Sequence, residues 1–286
     1  MLSNWEKKEI KEGKGKHYAY VIQNTQKKAE KSLVDLMFLL EHKIIGEEKN
    51  ICTVTQLQKL INTNKVISKN RYCPYELTTL WDFPIRGIGG ESNFPGNCAP
   101  QVIENLLNRY ITSGQFVVDP MAGSGTTLDV CRSRKIECHC YDLTPYRDDI
   151  IENNAIEKIP ENECSVDLVF LHPPYRNMKP YSNKKTDLSN TDRFLELLKK
   201  VFVNSYKILK VGGILAVLIG EDARSKRIIP DGYNSYKLLL DIGFKPKENI
   251  IKVQNKASSH NPLWAYRAVK NGFYFRGFEY IWVVEK

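Results

Sequence analysis

No stretch of the chain approaches the roughly 20 consecutive apolar residues of a membrane helix. Its start, where Met1 is followed by Asn4, Glu6, Lys7 and Lys8 with no apolar run behind them, does not read as a secretory signal. The seven cysteines are odd in number and lack paired spacing. That excludes a disulfide framework and leaves reduced thiols, as expected of a cytoplasmic protein. The tightest cluster is Cys138-His139-Cys140. Consecutive residues alternate sides of a strand and close a tetrahedral site poorly, so no metal is expected there. Repeats and low-complexity segments are missing too. Acidic side chains are in the minority, 33 against 42 Lys and Arg, giving a net charge of +9. Such a balance suits a polyanionic partner. What is present is a 42% hydrophobic fraction over 286 residues, enough for one full α/β domain and a smaller attachment.

Composition divides the chain near residue 75. Residues 1–75 carry 14 Lys and Arg against 8 Asp and Glu, most of the net charge. Ala29, Leu33, Leu36, Met37 and Leu40 recur at three- and four-residue spacing, the apolar stripe of a helix, and a second short helix fits Thr55 to Asn62. From 76 to 286 the pattern becomes alternating strands and helices. Strands are expected at Gln115–Asp119, Ile136–Asp142, Val166–Leu171, Gly213–Ile219, Asn249–Val253 and Phe278–Val284. Helices are expected at Gly123–Arg134, Arg193–Leu209 and Ser235–Ile242, the last ended by Gly243. Apolar strands separated by helices imply a doubly wound, mostly parallel α/β sheet covered on both faces.

Asp119-Pro-Met-Ala-Gly-Ser-Gly-Thr-Thr127 follows the first of these strands and opens a helix. Gly123 and Gly125 permit a tight turn and a close ligand approach, and the helix start presents unpaired N–H groups. No lysine follows Gly125, so the loop is not one for nucleoside triphosphates. Asp142 ends the second strand about twenty residues on, where an acid can accept from two ribose hydroxyls. Either half alone could be a structural turn with a surface acid; together they describe a nucleoside cofactor.

The strand Val166–Leu171 runs into His172-Pro173-Pro174-Tyr175. Two prolines stiffen a loop that projects from the end of the sheet where α/β sites lie. Stiffness suits attack by an exocyclic amino group of a base, whose lone pair is conjugated into the ring. Acceptors aimed at its hydrogens, the side chain of 172 and the carbonyl of Pro173, would favour the transition state. Tyr175 would stack on the base, which must first leave the duplex. His172 could be a satisfied structural histidine, but its place before Pro-Pro-Tyr favours the site.

These motifs resemble those of the amino-methylating DNA methyltransferases, which make N6-methyladenine or N4-methylcytosine. The resemblance covers roughly residues 76–286. It rests on the glycine loop, the Pro-Pro-Tyr loop, Phe94-Pro-Gly-Asn-Cys-Ala-Pro100 before a helix, and Leu209-Lys-Val-Gly-Gly-Ile214 before a central strand. It implies a Rossmann-like methyltransferase fold and S-adenosyl-L-methionine as cofactor. The cofactor residues would be Asn97, Asp119, Pro120, Met121, Ala122, Gly123, Gly125, Thr126, Thr127, Asp142, Leu143 and Asn154, and the catalytic ones His172, Pro173, Pro174 and Tyr175. Two positions depart from the pattern. His172 stands where Asp, Asn or Ser is usual, although a neutral imidazole still offers one acceptor. Asn154 stands where an acid would meet the cofactor's adenine.

The expected substrate is double-stranded DNA with one base flipped, adenine N6 slightly ahead of cytosine N4. Only about fifty residues separate the two loops, too few for a recognition domain, and the chain ends on its last strand. Recognition is therefore expected from residues 1–75, where Thr53 to Lys69 faintly suggests a helix-turn-helix, from loops around Gly220–Arg227 and Gln254–Gly277, or from a second subunit. A cognate restriction enzyme is a further expected partner. The rival readings are an RNA base methyltransferase, a non-catalytic nucleic-acid-binding subunit and, against the Pro-Pro-Tyr loop, a small-molecule methyltransferase. Tyr181, Tyr206, Tyr233, Tyr236 and Trp264 could touch nucleic acid, but core or ordinary surface is the plainer reading of most.

Overall fold

The computed structural model describes residues 76–91, 93–175, 187–190, 192–224, 227–254 and 262–286. The helices expected before residue 75, the helix-turn-helix and Tyr181 lie outside the described residues. Ten strands and five α-helices are described: β1 Leu80–Trp81, α1 Pro100–Tyr110, β2 Phe116–Asp119, α2 Thr126–Ser133, β3 Glu137–Asp142, β4 Ile151–Glu152, β5 Val166–Leu171, α3 Phe194–Ile208, β6 Leu209–Ile219, β7 Asp222–Arg224, β8 Arg227–Ile229, α4 Asp231–Ile242, β9 Lys245–Val253, α5 Pro262–Asn271 and β10 Phe278–Glu285. Eight strands form one sheet in the order β1-β9-β10-β6-β5-β2-β3-β4, and β7 and β8 pair separately. β10 runs antiparallel to both its neighbours, β6 and β9. The other pairings of the large sheet are parallel.

The central strands read as near-continuous apolar runs because both of their faces are covered. In β6, Leu215, Val217 and Ile219 join the core beneath α3, with Phe194, Leu198, Val201 and Phe202. Ile214, Ala216 and Leu218 point the other way, into a core with Val102, Ile103, Leu106 and Leu107 of α1 and Val130 and Cys131 of α2. This is the doubly wound, mostly parallel Rossmann-like sheet expected from the sequence.

The boundaries differ from expectation for physical reasons. α2 starts at Thr126 and not Gly123, because Gly123 (φ 51°) and Gly125 (φ 84°) are left-handed and belong to the turn. α4 starts at Asp231, four residues early. Its first N–H groups are capped from a distance by the Glu221 carboxylate, which accepts from Gly232 N at 3.0 Å and Tyr233 N at 3.1 Å. The polar stretch Lys245–Glu248 is drawn into β9 by pairing with β10, which runs from Lys245 opposite Glu285 to Val253 opposite Phe278. β6 starts at Leu209, with a register shift against β5 that takes up Lys210 to Gly213. α5, β1, β4 and the β7–β8 pair carried no clear periodicity. Among the described residues no helix is long and apolar enough to cross a membrane.

Candidate active site

From β2 the chain builds outward to β3 on one side, and from β5 to β6 on the other. The reversal between β2 and β5 opens a crevice at their carboxyl ends, the usual ligand site of such sheets. A cavity of about 310 Å³ lies there, of ligand size. It gathers Asn97, Asp119, Pro120, Met121, Ala122, Gly123, Thr126, Thr127, Asp142, Leu143, Asn154, His172, Pro173, Pro174 and Tyr175. Gly125, alone of the expected site residues, is not on its wall. Gly125 precedes α2, and a Cβ there would sit 2.8 Å from Arg147 Nη1.

One end is a turn held by carboxylates. Asp119, 2% exposed, accepts from Met121 N at 3.0 Å and from Thr127 Oγ1 at 2.5 Å. Its burial pushes the carboxyl up to about 7, and the nearby Asp142 charge adds to this against the two hydrogen bonds. Asp142 accepts from Gly123 N and Thr144 N, both at 2.9 Å. Burial raises its carboxyl above the ordinary range, opposed by these N–H groups. Each oxygen of a carboxylate has a second acceptor position, so a ribose diol can still be met at Asp142. A Cβ on Gly123 would lie 3.0 Å from the Phe94 ring, so the turn and the aromatic wall are fitted to each other. A carboxylate at a nucleoside-sized cavity beside a glycine turn fits S-adenosyl-L-methionine. Asn154 is at the wall, but both ends of its amide are engaged: Oδ1 accepts from Ile156 N at 3.2 Å and Nδ2 donates to Glu157 Oε1 at 2.9 Å.

The other end is the loop 172–175. Tyr175 donates its hydroxyl hydrogen to Glu279 Oε1. His172 Nε2 lies 3.4 Å from the same hydroxyl, with the two rings edge-on at 5.8 Å. Burial pushes the imidazole down to about 4; Glu279 opposes this and Lys252 adds to it. His172 is therefore neutral at pH 7.

Several contributors were missed from the sequence. Tyr146 was missed; it meets Phe94, which opens the expected Phe94–Pro100 motif, edge-on at 5.1 Å on the cavity wall. Asp129 in the first turn of α2 accepts from Gly90 N at 2.8 Å and from Arg147 Nη1 at 2.9 Å, tying two loops to the helix start. Arg86 was missed as well; its Nη2 donates at 3.0 Å to the expected Asn97, which also accepts from the expected Thr126 Oγ1 at 2.9 Å. Glu279 and Lys252 lie more than seventy residues beyond the loop they face. No local signal could have found them. Arg147 was findable, five residues past an acid that ends a strand.

The sequence profile of the DNA methylase family, the N6/N4 type, matches residues 5–153, covering the glycine loop and Asp142 but ending before His172. The chain is 28% identical over 158 residues to the Type II methyltransferase M.MjaII of Methanocaldococcus jannaschii. That stretch is 54% of this chain and 28% of the relative, so the chain spans less than a third of the relative's length. Among solved structures, a candidate DNA modification methylase from Thermus thermophilus complexed with S-adenosyl-L-methionine is 22% identical, over 47% of this chain and 53% of that one, with TM-score 0.35. A SAM-dependent methyltransferase from Archaeoglobus fulgidus is 14% identical, over 65% and 94%, with TM-score 0.41. Likenesses at such scores bear no weight for function. The profile match covers more than half of the sequence, and the chain belongs to the N6/N4 DNA methylase family, with S-adenosyl-L-methionine as its cofactor.

Proposed function

We propose that the chain methylates the exocyclic amino group of a base flipped out of double-stranded DNA, adenine N6 ahead of cytosine N4. The observation that carries this reading is the cavity joining the glycine turn and Asp142 to the His172–Tyr175 loop. Asp142 would hold the ribose, the Gly123 turn and Asn97 the methionine part, and Leu143, with the second N–H of the Asn154 amide, the adenine. Bound S-adenosyl-L-methionine supplies an electrophilic methyl carbon. His172 and the Pro173 carbonyl then accept the two amino hydrogens, building negative charge on the nitrogen and exposing its lone pair. An imidazole pushed down to about 4 is neutral at pH 7, with a hydrogen on one ring nitrogen and a lone pair on the other. His172 is thus an acceptor and not the final base. The methylated nitrogen is acidic enough to release its extra proton to water. Tyr175 would support the base by its ring, with the hydroxyl already fixed by Glu279. In this reading residues 76–286 are the methyltransferase domain. The basic region 1–75 contacts DNA or a second copy, and a partner subunit or a cognate restriction enzyme completes the system.

The test is tritium transfer from labelled cofactor to DNA, with mass spectrometry of the digested nucleosides naming the base. His172→Ala should slow turnover on the order of 100-fold, as for loss of one transition-state partner. Its cofactor affinity should stay near wild type. Wild-type rates in both His172→Ala and Tyr175→Ala remove the catalytic assignment. Absence of any methylated base in DNA or RNA replaces this reading with a non-catalytic subunit.

A further inference from the structure

We infer that Lys252 and Glu279, paired across β9 and β10, are positioning residues that fix which nitrogen of His172 carries the ring hydrogen, acting through the hydroxyl of Tyr175. The inference rests on the catalytic reading of His172 above. Glu279 and Lys252 are direct partners in the β9–β10 register. Their side chains meet at 2.5 Å and are only 6% and 12% exposed. A buried ion pair is a poor source of stability, because desolvating two charges offsets their attraction. These two strands are already joined by backbone pairing from Phe278 to Glu285. The second carboxylate oxygen of Glu279 is turned to the catalytic loop, where it accepts from Tyr175.

Hydrogen counting gives the consequence. A phenol has one hydrogen, and Tyr175 gives it to Glu279. Towards His172 its oxygen is then an acceptor only, so the Nε2 facing it at 3.4 Å must carry the imidazole hydrogen. Nδ1 is left bare, the acceptor that the amino-group chemistry requires. The arrangement holds only while Glu279 is ionised. A protonated Glu279 could donate to Tyr175, which would then donate to Nε2 and send the hydrogen to Nδ1. Lys252 prevents this: burial alone would raise the Glu279 carboxyl, but the Lys252 charge and the hydrogen bonds from Lys252 and Tyr175 act against it and hold it below the ordinary value. The sheet pairing thus places a charge that sets a tautomer two contacts away.

The experiment reads the tautomer directly. The full chain is labelled with 15N-histidine, and the His172 signal is assigned among five histidines with the His172→Asn variant. Ring-proton to nitrogen correlations report which nitrogen is protonated. Wild type should show hydrogen on Nε2 alone. Tyr175→Phe, which keeps the ring and is the variant safest for folding, should show a mixture, as should Glu279→Gln and Lys252→Met. Lys210→Met, which breaks the Lys210–Asp167 pair at the amino ends of β6 and β5, away from the loop 172–175 at the carboxyl end of β5, should leave the tautomer unchanged. In methyl transfer, Glu279→Gln should lower kcat about 100-fold, the effect of a misplaced catalytic partner, with the KM for cofactor unmoved. A wild-type His172 protonated on Nδ1, or an Nε2–H tautomer that persists in both Tyr175→Phe and Glu279→Gln, overturns the proposal. A chain that shows the predicted tautomer shifts but transfers no methyl group upholds the relay and removes the methyl-transfer reading, so the two failures are separable.

Discussion

The two ends of the cavity are built in different ways. At the glycine turn, carboxylates accept backbone N–H groups: Asp119 serves Met121 and Asp142 serves Thr144, each two residues on, and Asp142 also reaches back to Gly123. At the loop 172–175 the supports are side chains from other strands, Glu279 of β10 and Lys252 of β9. The first end shapes a pocket through the backbone. The second orients two rings through a chain of charges and hydrogens. Backbone-made sites tolerate substitution of supporting side chains, whereas side-chain relays fail at any link.

The sharpest way to break this comparison is through Lys252. Lys252→Met strips the buried Glu279 of its partner, so that the carboxyl must either stay charged and unpaired or take up a proton, which should cost about 3–5 kcal/mol. The Lys210–Asp167 pair is the control. Its lysine side chain is 45% exposed, so Lys210→Met should cost about 1 kcal/mol or less. Urea unfolding midpoints at unchanged slope measure both. Equal losses would mean that the β9–β10 pair is an ordinary surface contact.

The same contrast explains what the sequence disclosed. The glycine turn, Asp142 and the Pro-Pro-Tyr loop are written in short runs, so the sheet core and the wall of the cavity were legible. β5 matched its expected bounds because an apolar run from Val166 to Leu171 needs no partner to be recognised. The start of α4 and the polar half of β9 were not legible. Their cause is elsewhere: Glu221 caps α4, and β10 draws Lys245–Glu248 into the sheet. Glu279 stands in an otherwise ordinary strand, and its register opposite Lys252 exists only after pairing. A residue placed by tertiary register leaves no mark at fixed sequence spacing.

The cofactor end is tested by Asp142→Ala. Loss of a charged acceptor should weaken S-adenosyl-L-methionine binding by about 1.5–3 kcal/mol, read by calorimetry. The His172 tautomer should stay as in wild type, since the relay runs through Tyr175, Glu279 and Lys252 and not through Asp142. Wild-type affinity with an intact fold would place the ribose elsewhere, and a changed tautomer would join the two ends into one network.

The smallest effect concerns pH, and here the two ends carry opposite signs. Burial raises Asp119 from about 3.8 to about 7, so the folded state prefers its protonated form. Its stabilising contribution is full below pH 3.8 and is lost as pH rises towards 7. Burial lowers His172 from 6.5 to about 4, so the folded state prefers the neutral ring. That contribution is full above pH 6.5 and is lost as pH falls towards 4. Between about pH 4 and 6.5 the two slopes oppose each other, each at most about 1.4 kcal/mol per pH unit. The wild type should therefore respond weakly to these two groups, and single variants should expose them. Relative to wild type, Asp119→Asn should gain stability as pH rises from about 5 to 6.5, because it no longer ionises in the core. Over the same range His172→Asn should lose relative stability, because wild type recovers the neutral histidine that the variant lacks. Denaturant midpoints of the three proteins at about pH 5, 5.75 and 6.5 give the differences. Slopes of the same sign would show that one of the two groups is not buried as described, and with it one end of the contrast would fall.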